Sequence, residues 1–492
     1  MQSWTWTNQN KSGLWTDTKN WSPEGTPEDG DEVTLPAADV WGNTDVNGPQ
    51  GAPALSLSKL TLQGLTHYDG PFTVTESLTW SGGGIDTDIT VSGAATVTGL
   101  DGSSSNPGIA NAHTITISGS ASIIGGGSTA SPQFLIDTGS KLVNAGSLSL
   151  SGAGFGSAAG FGTVDNSGTV TVTGSSHTAA GDITITHKKA AQLIISAGGE
   201  FIVGGGTVLK LAGGTVMGAG TLQVGDGNGG EIDTVADTAV PSLVIGGNGT
   251  VAPGKGASMP SPTLPGVLTI TKSLGWGHGA GSGEYSALLG HLVLAAGATG
   301  VIENTTYLDN GKVENAGHIT VAAKATLSLE GGQPVILNTG TVTLSGTATV
   351  TGGSMTSTGL IEKTGTGVAL LGAELTNRGS IAVSQGILRI GDSNWTIAGG
   401  TVALVGGRLE GPGLGSLVLT GGPEGGVLAG TGTVAATVTN GGWVEPTAPG
   451  LTVTEYSQQP NGNVALSSGA ASTLLTLGGV NLSIDGSLWL LG

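Results

Sequence analysis

The groups able to carry chemistry are few and thinly spread: seven histidines, 34 carboxylates, 15 basic side chains and no cysteine in 492 residues. His278 stands between Gly277 and Gly279, two residues after Trp276, in a stretch that breaks the surrounding pattern and so suits a cleft. It is the weak candidate for a catalytic group. Glycoside hydrolysis also needs paired carboxylates, and neither an Asp-Asp pair nor an Arg-x-Lys clamp for an acidic substrate occurs. The plainer reading of His278 is a loop residue beside Trp276. In the run DGNGGEID, the oxygen donors Asp226, Asn228, Glu231 and Asp233 alternate with glycines as a calcium loop would require, but without the full pattern of a helix-loop-helix calcium site. A solvated turn is the alternative, and no other cofactor is expected. The acids Glu24, Glu28, Asp29, Asp31 and Glu32 suit a polar cap, with metal binding the minor option. Trp41, Trp80, Trp276, Trp395 and Trp443 could stack on sugar rings, whose flat apolar face fits an aromatic platform; otherwise they close corners or fill the interior. The remaining histidines, His67, His113, His177, His187, His291 and His318, have no metal-ligand spacing.

What could position such groups follows from composition. Ninety-three glycines against 5 Phe, 4 Tyr and 4 Met leave too few bulky side chains for thick globular packing. Val, Thr and Ile favour strands instead, so a thin, turn-rich β architecture is expected. The formal net charge of −19, with only three arginines (Arg378, Arg389 and Arg408), argues against a nucleic-acid partner. No apolar run approaches the ~18 residues of a membrane span. The opening MQSWTWTNQN has neither the basic nor the apolar region of an export signal, so an exported chain would have lost its signal or been cut from a longer protein.

A phrase recurs: NAGSLSLSG from Asn144, NSGTVTVTG from Asn166, NAGHITVAA from Asn315, NTGTVTLSG from Asn338 and NRGSIAVSQG from Asn377. Copies fall about 20 residues apart, in the range of solenoid repeats. Within each, alternate residues are apolar, placing Val342 and Leu344 on one face of a strand. Asn-x-Gly before the strand suits a corner, since both residues tolerate left-handed backbone angles. Three short strands and three bends per coil predict an all-β, right-handed parallel β-helix, or β-solenoid, of about two dozen coils stacked about 4.8 Å apart. The boundaries expected are a Trp-rich cap over 1–35, one helical segment over 36–272, an irregular insertion over 273–289 and a second segment over 290–492. Pro253, Pro260, Pro262 and Pro265 interrupt pairing before the insertion. The strand-like end, LTLGGVNLSIDGSLWLLG, would expose an edge, so another domain is expected after Gly492.

Two stretches resemble a known style of protein. GLWTDTKNW followed by Pro and GDEVTL, Gly13 to Leu35, is similar to the opening of exported bacterial β-helical repeat proteins. LAGTGTVAATVTNGGWVEPTAPGLTVTEYSQ, Leu428 to Gln458, resembles coils of autotransporter-type passenger domains and related adhesins. GNGTVAPGKGASMPSPTLPGVLTI, Gly247 to Ile270, is a looser copy. The resemblance implies a β-helix secreted or displayed on a bacterial surface as an adhesin or as a stalk presenting another domain. Its partner would be a glycan or protein on a host or neighbouring cell. Gly277-His278-Gly279 matches the Gly-His-Gly of polygalacturonase-type hydrolases, which gives the alternative: a glycan-degrading or glycan-binding β-helix, polygalacturonase-related or like a tailspike depolymerase, with its cleft near 275–310.

Overall fold

In a computed structural model, parallel strands stack as a β-solenoid of about 16 turns, with about 22 residues per turn and almost no helix. The described residues are all except 38–45, 47–54, 65–70, 101–106, 110–111, 126–132, 158–159, 179–181, 253–265, 279–284, 392, 412–415, 423, 468–474, 478–486 and 492. Trp41, Gly279, Gly492 and the four prolines Pro253, Pro260, Pro262 and Pro265 lie outside them. The chain divides into two compact units, one of residues 1–243 and 247–266 and the other of 244–246 and 267–492.

Through the regular turns a strand pairs in parallel with the third strand after it, so such a turn contributes one strand to each of three faces. In the second unit, Lys312–Asn315, His318–Val321 and Thr326–Glu330 lie on the first, second and third face of one turn. They pair in parallel with Val335–Asn338, Thr341–Ser345 and Thr349–Gly352 of the next. Register is fixed by apolar alternation, because a slip of one residue would turn every inward side chain outward. Val313, Ile336, Met355, Leu375, Trp395 and Leu417 thus form one buried column. Ile89, Ile115, Leu142, Val164, Ile185 and Leu209 form its counterpart in the first unit. A buried Leu or Ile contributes roughly 1.5–3 kcal/mol, so the few in one turn cannot offset the ordering of some twenty residues. Stability is collective.

The turn is longer than the expected 20 residues, and the turns are fewer. Asn338, Ser357, Asn377 and Ile397 stack directly at close to that spacing, and this is the region where the repeat is clearest. In the first unit, the step from Ile117 to its neighbour Asn144 is larger, because those turns carry more residues, among them a short separate sheet of Gly84–Ile85, Gly108–Ile109, Gln133–Ile136 and Gly154–Gly156. The segment 273–289, expected to be irregular, opens as strand: Val267–His278 carries Ser273 to Trp276 into register with Thr299 to Ile302. Gly275 sits there as a pairing residue, in register with Val301.

Asn-x-Gly makes the corner by a mechanism other than the one expected. Neither the asparagine nor the glycine of the Asn-x-Gly in these copies has positive φ; the left-handed glycines are ones that close the phrase, such as Gly152 and Gly346. Asn144, Asn315, Asn338 and Asn377 point inward and are wholly or almost wholly buried. Asn315 Nδ2 donates to Asn338 Oδ1 at 2.8 Å and to the Thr341 carbonyl at 2.9 Å, and Asn338 Nδ2 donates to Ser357 Oγ at 3.0 Å and to the Leu360 carbonyl at 3.1 Å. Each amide therefore satisfies the next turn's corner. The glycines are needed for close approach: a Cβ on Gly340, Gly359 or Gly379 would overlap the carbonyl oxygen of Gly317, Gly340 or Gly359 one turn below. Those same carbonyls accept the amides of Thr341, Leu360 and Ser380 at 2.8 to 2.9 Å.

At the N-terminal end, Trp6, Trp15 and Trp21 pack edge to face, with centroids 5.0 and 4.4 Å from the Trp21 ring, and Trp15 reaches Phe72. Asp31 joins this cap to the first rung by accepting from Trp4 Nε1 at 2.8 Å and from the amides of Gln2 and Glu28. Burial raises its pKa, but these donors outweigh the burial and hold the carboxyl below its ordinary value. Of the other cap acids, Asp29 accepts the Ser56 amide and Glu32 pairs with Lys59 at 2.6 Å.

Gly340→Ala should destabilise the protein by about 2 kcal/mol or more, as overpacking against immovable backbone does. Gly84→Ala, where a Cβ meets nothing within 4 Å, should stay near neutral. Urea denaturation of the two variants beside the parent checks the contrast; equal midpoints would refute the close-approach explanation.

Candidate functional site

His278 ends the strand Val267–His278 at a corner of the second unit. Gly277 takes φ +81°, its carbonyl accepts Asn304 Nδ2 at 2.8 Å, and a Cβ there would overlap the Glu303 carbonyl. The His278 side chain is 66% exposed, with Nδ1 2.9 Å from Glu303 Oε2. One imidazole and one carboxylate are brought together, fewer groups than acid–base hydrolysis of a glycoside uses.

The four oxygen donors of the glycine-rich run are not gathered. Asp226 lies at a corner, with Oδ2 2.9 Å from His177 Nε2 and Oδ1 accepting the Asn228 amide at 2.9 Å. Glu231 and Asp233 belong to the strand Glu231–Thr234, in register with Val208 and Lys210. Among the described residues no three His, Asp or Glu side chains converge as metal ligands.

Trp80, Trp276 and Trp395 are each 1% exposed or less, which corrects their reading as stacking platforms. They occupy inward positions, Trp80 against Phe134 at 5.3 Å and Trp276 in the column above which Ile302 and Val321 stack. Trp443 is half-buried on the outward side of its strand. An apolar cavity in the interior of the second unit, lined by Trp276, Leu344 and Ile361 among others, has about 20 Å³ of free volume, room for about one water.

Among the interior groups that can titrate are His187 and Lys363. His187 continues the asparagine ladder of the first unit: Asn144 Nδ2 donates to Asn166 Oδ1 at 2.8 Å, Asn166 Nδ2 faces His187 Nδ1 at 3.0 Å, and His187 Nε2 faces the Thr215 carbonyl at 3.1 Å. Because Asn166 Nδ2 can only donate and the carbonyl can only accept, the ring is assigned as neutral, with its proton on Nε2. Gly214 leaves the ring its space, since a Cβ there would strike it. Burial lowers the His187 pKa, partly opposed by the Thr215 carbonyl. Lys363 occupies an inward position between Leu344 and Val383, wholly buried, with Nζ donating to the carbonyls of Thr364 at 2.7 Å and Gly365 at 2.6 Å. Burial lowers its pKa as well.

The outer faces carry the groups a partner would meet. In the first unit, Thr34, Thr61, Thr79, Thr96, Ser122, Ser149 and Thr171 stand in one column, one hydroxyl per rung. In the second unit, Tyr285 and Tyr307, which the sequence reading passed over, form an edge-to-face pair at 5.3 Å with Tyr285 54% exposed. Their signal in sequence was alternation: in Thr305-Thr-Tyr307-Leu-Asp309 the inward residues are Thr306 and Leu308, which leaves Tyr307 and Asp309 outside. Against known proteins, no family model matches the chain and no curated protein matches it.

Since the His187 pKa lies below its unfolded value of 6.5, the unfolded chain takes up a proton at this position before the folded one does. Its contribution to stability is therefore complete above pH 6.5 and is lost as the pH falls from there towards the folded pKa, at up to about 1.4 kcal/mol per pH unit. Urea midpoints at pH 7.5 and 5.5 should fall more in the parent than in His187→Gln, which can accept from Asn166 without titrating. Parallel pH dependence in both would show that His187 is not the group responsible.

Proposed function

We propose that the chain works as a secreted or surface-displayed adhesin, or as a stalk presenting another domain, and that it makes its contacts through its lateral faces. The observation that carries this reading is the hydroxyl column from Thr34 to Thr171. Strand geometry repeats it about every 4.8 Å, which suits a wide surface of individually weak hydrogen bonds more than a single tight pocket. The small fraction of charged residues, 10%, accords with contacts of this kind. The reading draws further support from the similarity of Gly13 to Leu35 and Leu428 to Gln458 to exported β-helical proteins.

A glycan-degrading reading has one observation in its favour. Asp309 and Glu330 stand in register on adjacent rungs of the third face, so two carboxylates lie side by side near the expected cleft. Reducing-sugar release from a panel of polysaccharides, abolished by Asp309→Asn or Glu330→Gln, would support that alternative.

The display reading is tested on intact cells of the source organism. Externally added protease should degrade the protein while leaving cytosolic markers whole, and a deletion strain should attach less well to glycan- or cell-coated surfaces. A protein wholly protected from protease until the cells are lysed would refute it.

A further inference from the structure

The aromatic pair and the carboxylate pair belong to one patch. On the third face of the second unit, outward positions follow the register Ala287, Tyr307, Ser328, Thr351 in one column and Asp309, Glu330 in the next. In its column the half-buried Tyr307 has the small residues Ala287 below it and Ser328 above it. Tyr285 precedes the strand Ser286–Leu288 and packs its ring on Tyr307 with an interplanar angle of 72°, a diagonal contact within reach of aromatic side chains on neighbouring strands. The other ring pairs described, among Trp6, Trp15, Trp21 and Phe72 and between Trp80 and Phe134, are interior. An outward pair has no packing duty of that kind.

The polar groups beside the rings are held in place. Ser328 Oγ donates to Glu330 Oε1 at 2.7 Å, and Asn310 Nδ2 donates to Asp309 Oδ1 at 2.8 Å. Each carboxylate accepts one intramolecular bond there and keeps capacity for more, since two oxygens offer about four acceptor positions. An outward aromatic ring edged by fixed acceptors complements a pyranose, which has an apolar face and a rim of hydroxyl donors. Carboxylates at the rim, on a chain of net charge −19, disfavour acidic sugars. Rungs about 4.8 Å apart set the acceptors at a step on the scale of one sugar residue.

We propose that Tyr285, Tyr307, Ser328, Asp309 and Glu330 form a binding subsite for a neutral or amino-sugar glycan chain, the tyrosines stacking on its rings and the carboxylates accepting its hydroxyls. This rests on the display reading, for which it supplies a ligand. Titration calorimetry of the full chain with malto-, cello-, manno- and chitohexaose should give binding by at least one of them. Tyr285→Ala and Tyr307→Ala should each weaken that binding about tenfold, whereas Tyr307→Trp should keep it and the melting temperature should not move. Should an alanine variant prove unstable, the near-isosteric Asp309→Asn with Glu330→Gln serves instead and should also weaken binding. Failure of all four sugars to bind, or undiminished binding by the double alanine variant, overturns the subsite. The two readings can fail separately: a protein on the cell surface that binds none of the sugars loses the subsite alone. A protein confined to the cytosol that binds one of them through the tyrosines loses the display role alone.

Discussion

Stacking one rung on the next requires the backbone at a corner to pass within contact distance of the corner beneath it, and much of this structure answers to that constraint. Corner carbonyls must meet the amides of the following turn, so nothing as large as a methyl group can intervene. Glycine at 317, 340, 359 and 379 meets the requirement from outside, and asparagine at 315, 338 and 377 meets it from inside by returning an amide to the polar groups that the bend turns inward. Loss of one of these asparagine amides would leave the buried groups it meets without that donor, at a cost of roughly 1–3 kcal/mol each. At two places where the column passes from asparagine to another polar residue, the bond is kept: Ser357 receives the amide of Asn338, and His187 that of Asn166. His187 also reaches further than asparagine could, to Thr215 across a corner one residue longer than the one Asn144 spans to Thr169.

Most of the fold was legible because parallel stacking repeats its demands. Alternation within NTGTVTLSG identifies Val342 and Leu344 as inward, and the recurrence of the phrase identifies the rung. The period was misread where the rung is irregular. Residues added to turns of the first unit, as between Ile117 and Asn144, dilute the spacing, whereas the steps from Asn338 to Ile397 stay close to 20 residues. The reason for Asn-x-Gly was also hidden. A single sequence cannot distinguish a glycine chosen for left-handed backbone from one chosen because another chain segment passes where its Cβ would be, and here the second holds.

The aromatic residues were the hardest to place. Tryptophan suits both an exposed sugar platform and a wide interior gap, and Trp80, Trp276 and Trp395 take the second role. Parity within the strand decides the matter, not residue type. Trp276 is in phase with inward Leu274, and Tyr307 is out of phase with inward Leu308. That comparison needs the strand boundaries to be known to within one residue, which is the least certain element of any reading from sequence. Gly275 and Gly277, flanking Trp276, blurred them further.

Separating inward from outward columns also separates stability from recognition. Inward positions are coupled up and down the stack, so a change at Ile361 is felt at Val342 and Ile381, its neighbours in register. Outward positions touch mostly water and their immediate neighbours, and a tyrosine, a carboxylate or a serine there perturbs the ladder little. The third face of the second unit can therefore carry Tyr307 on one rung, Ser328 on the next and Thr351 on the one after without altering the coil that holds them. A scaffold whose repeats contain almost no reactive groups is for that reason well suited to displaying a few at chosen heights: the rungs fix spacing and direction, and the outer columns alone are left to vary with the partner.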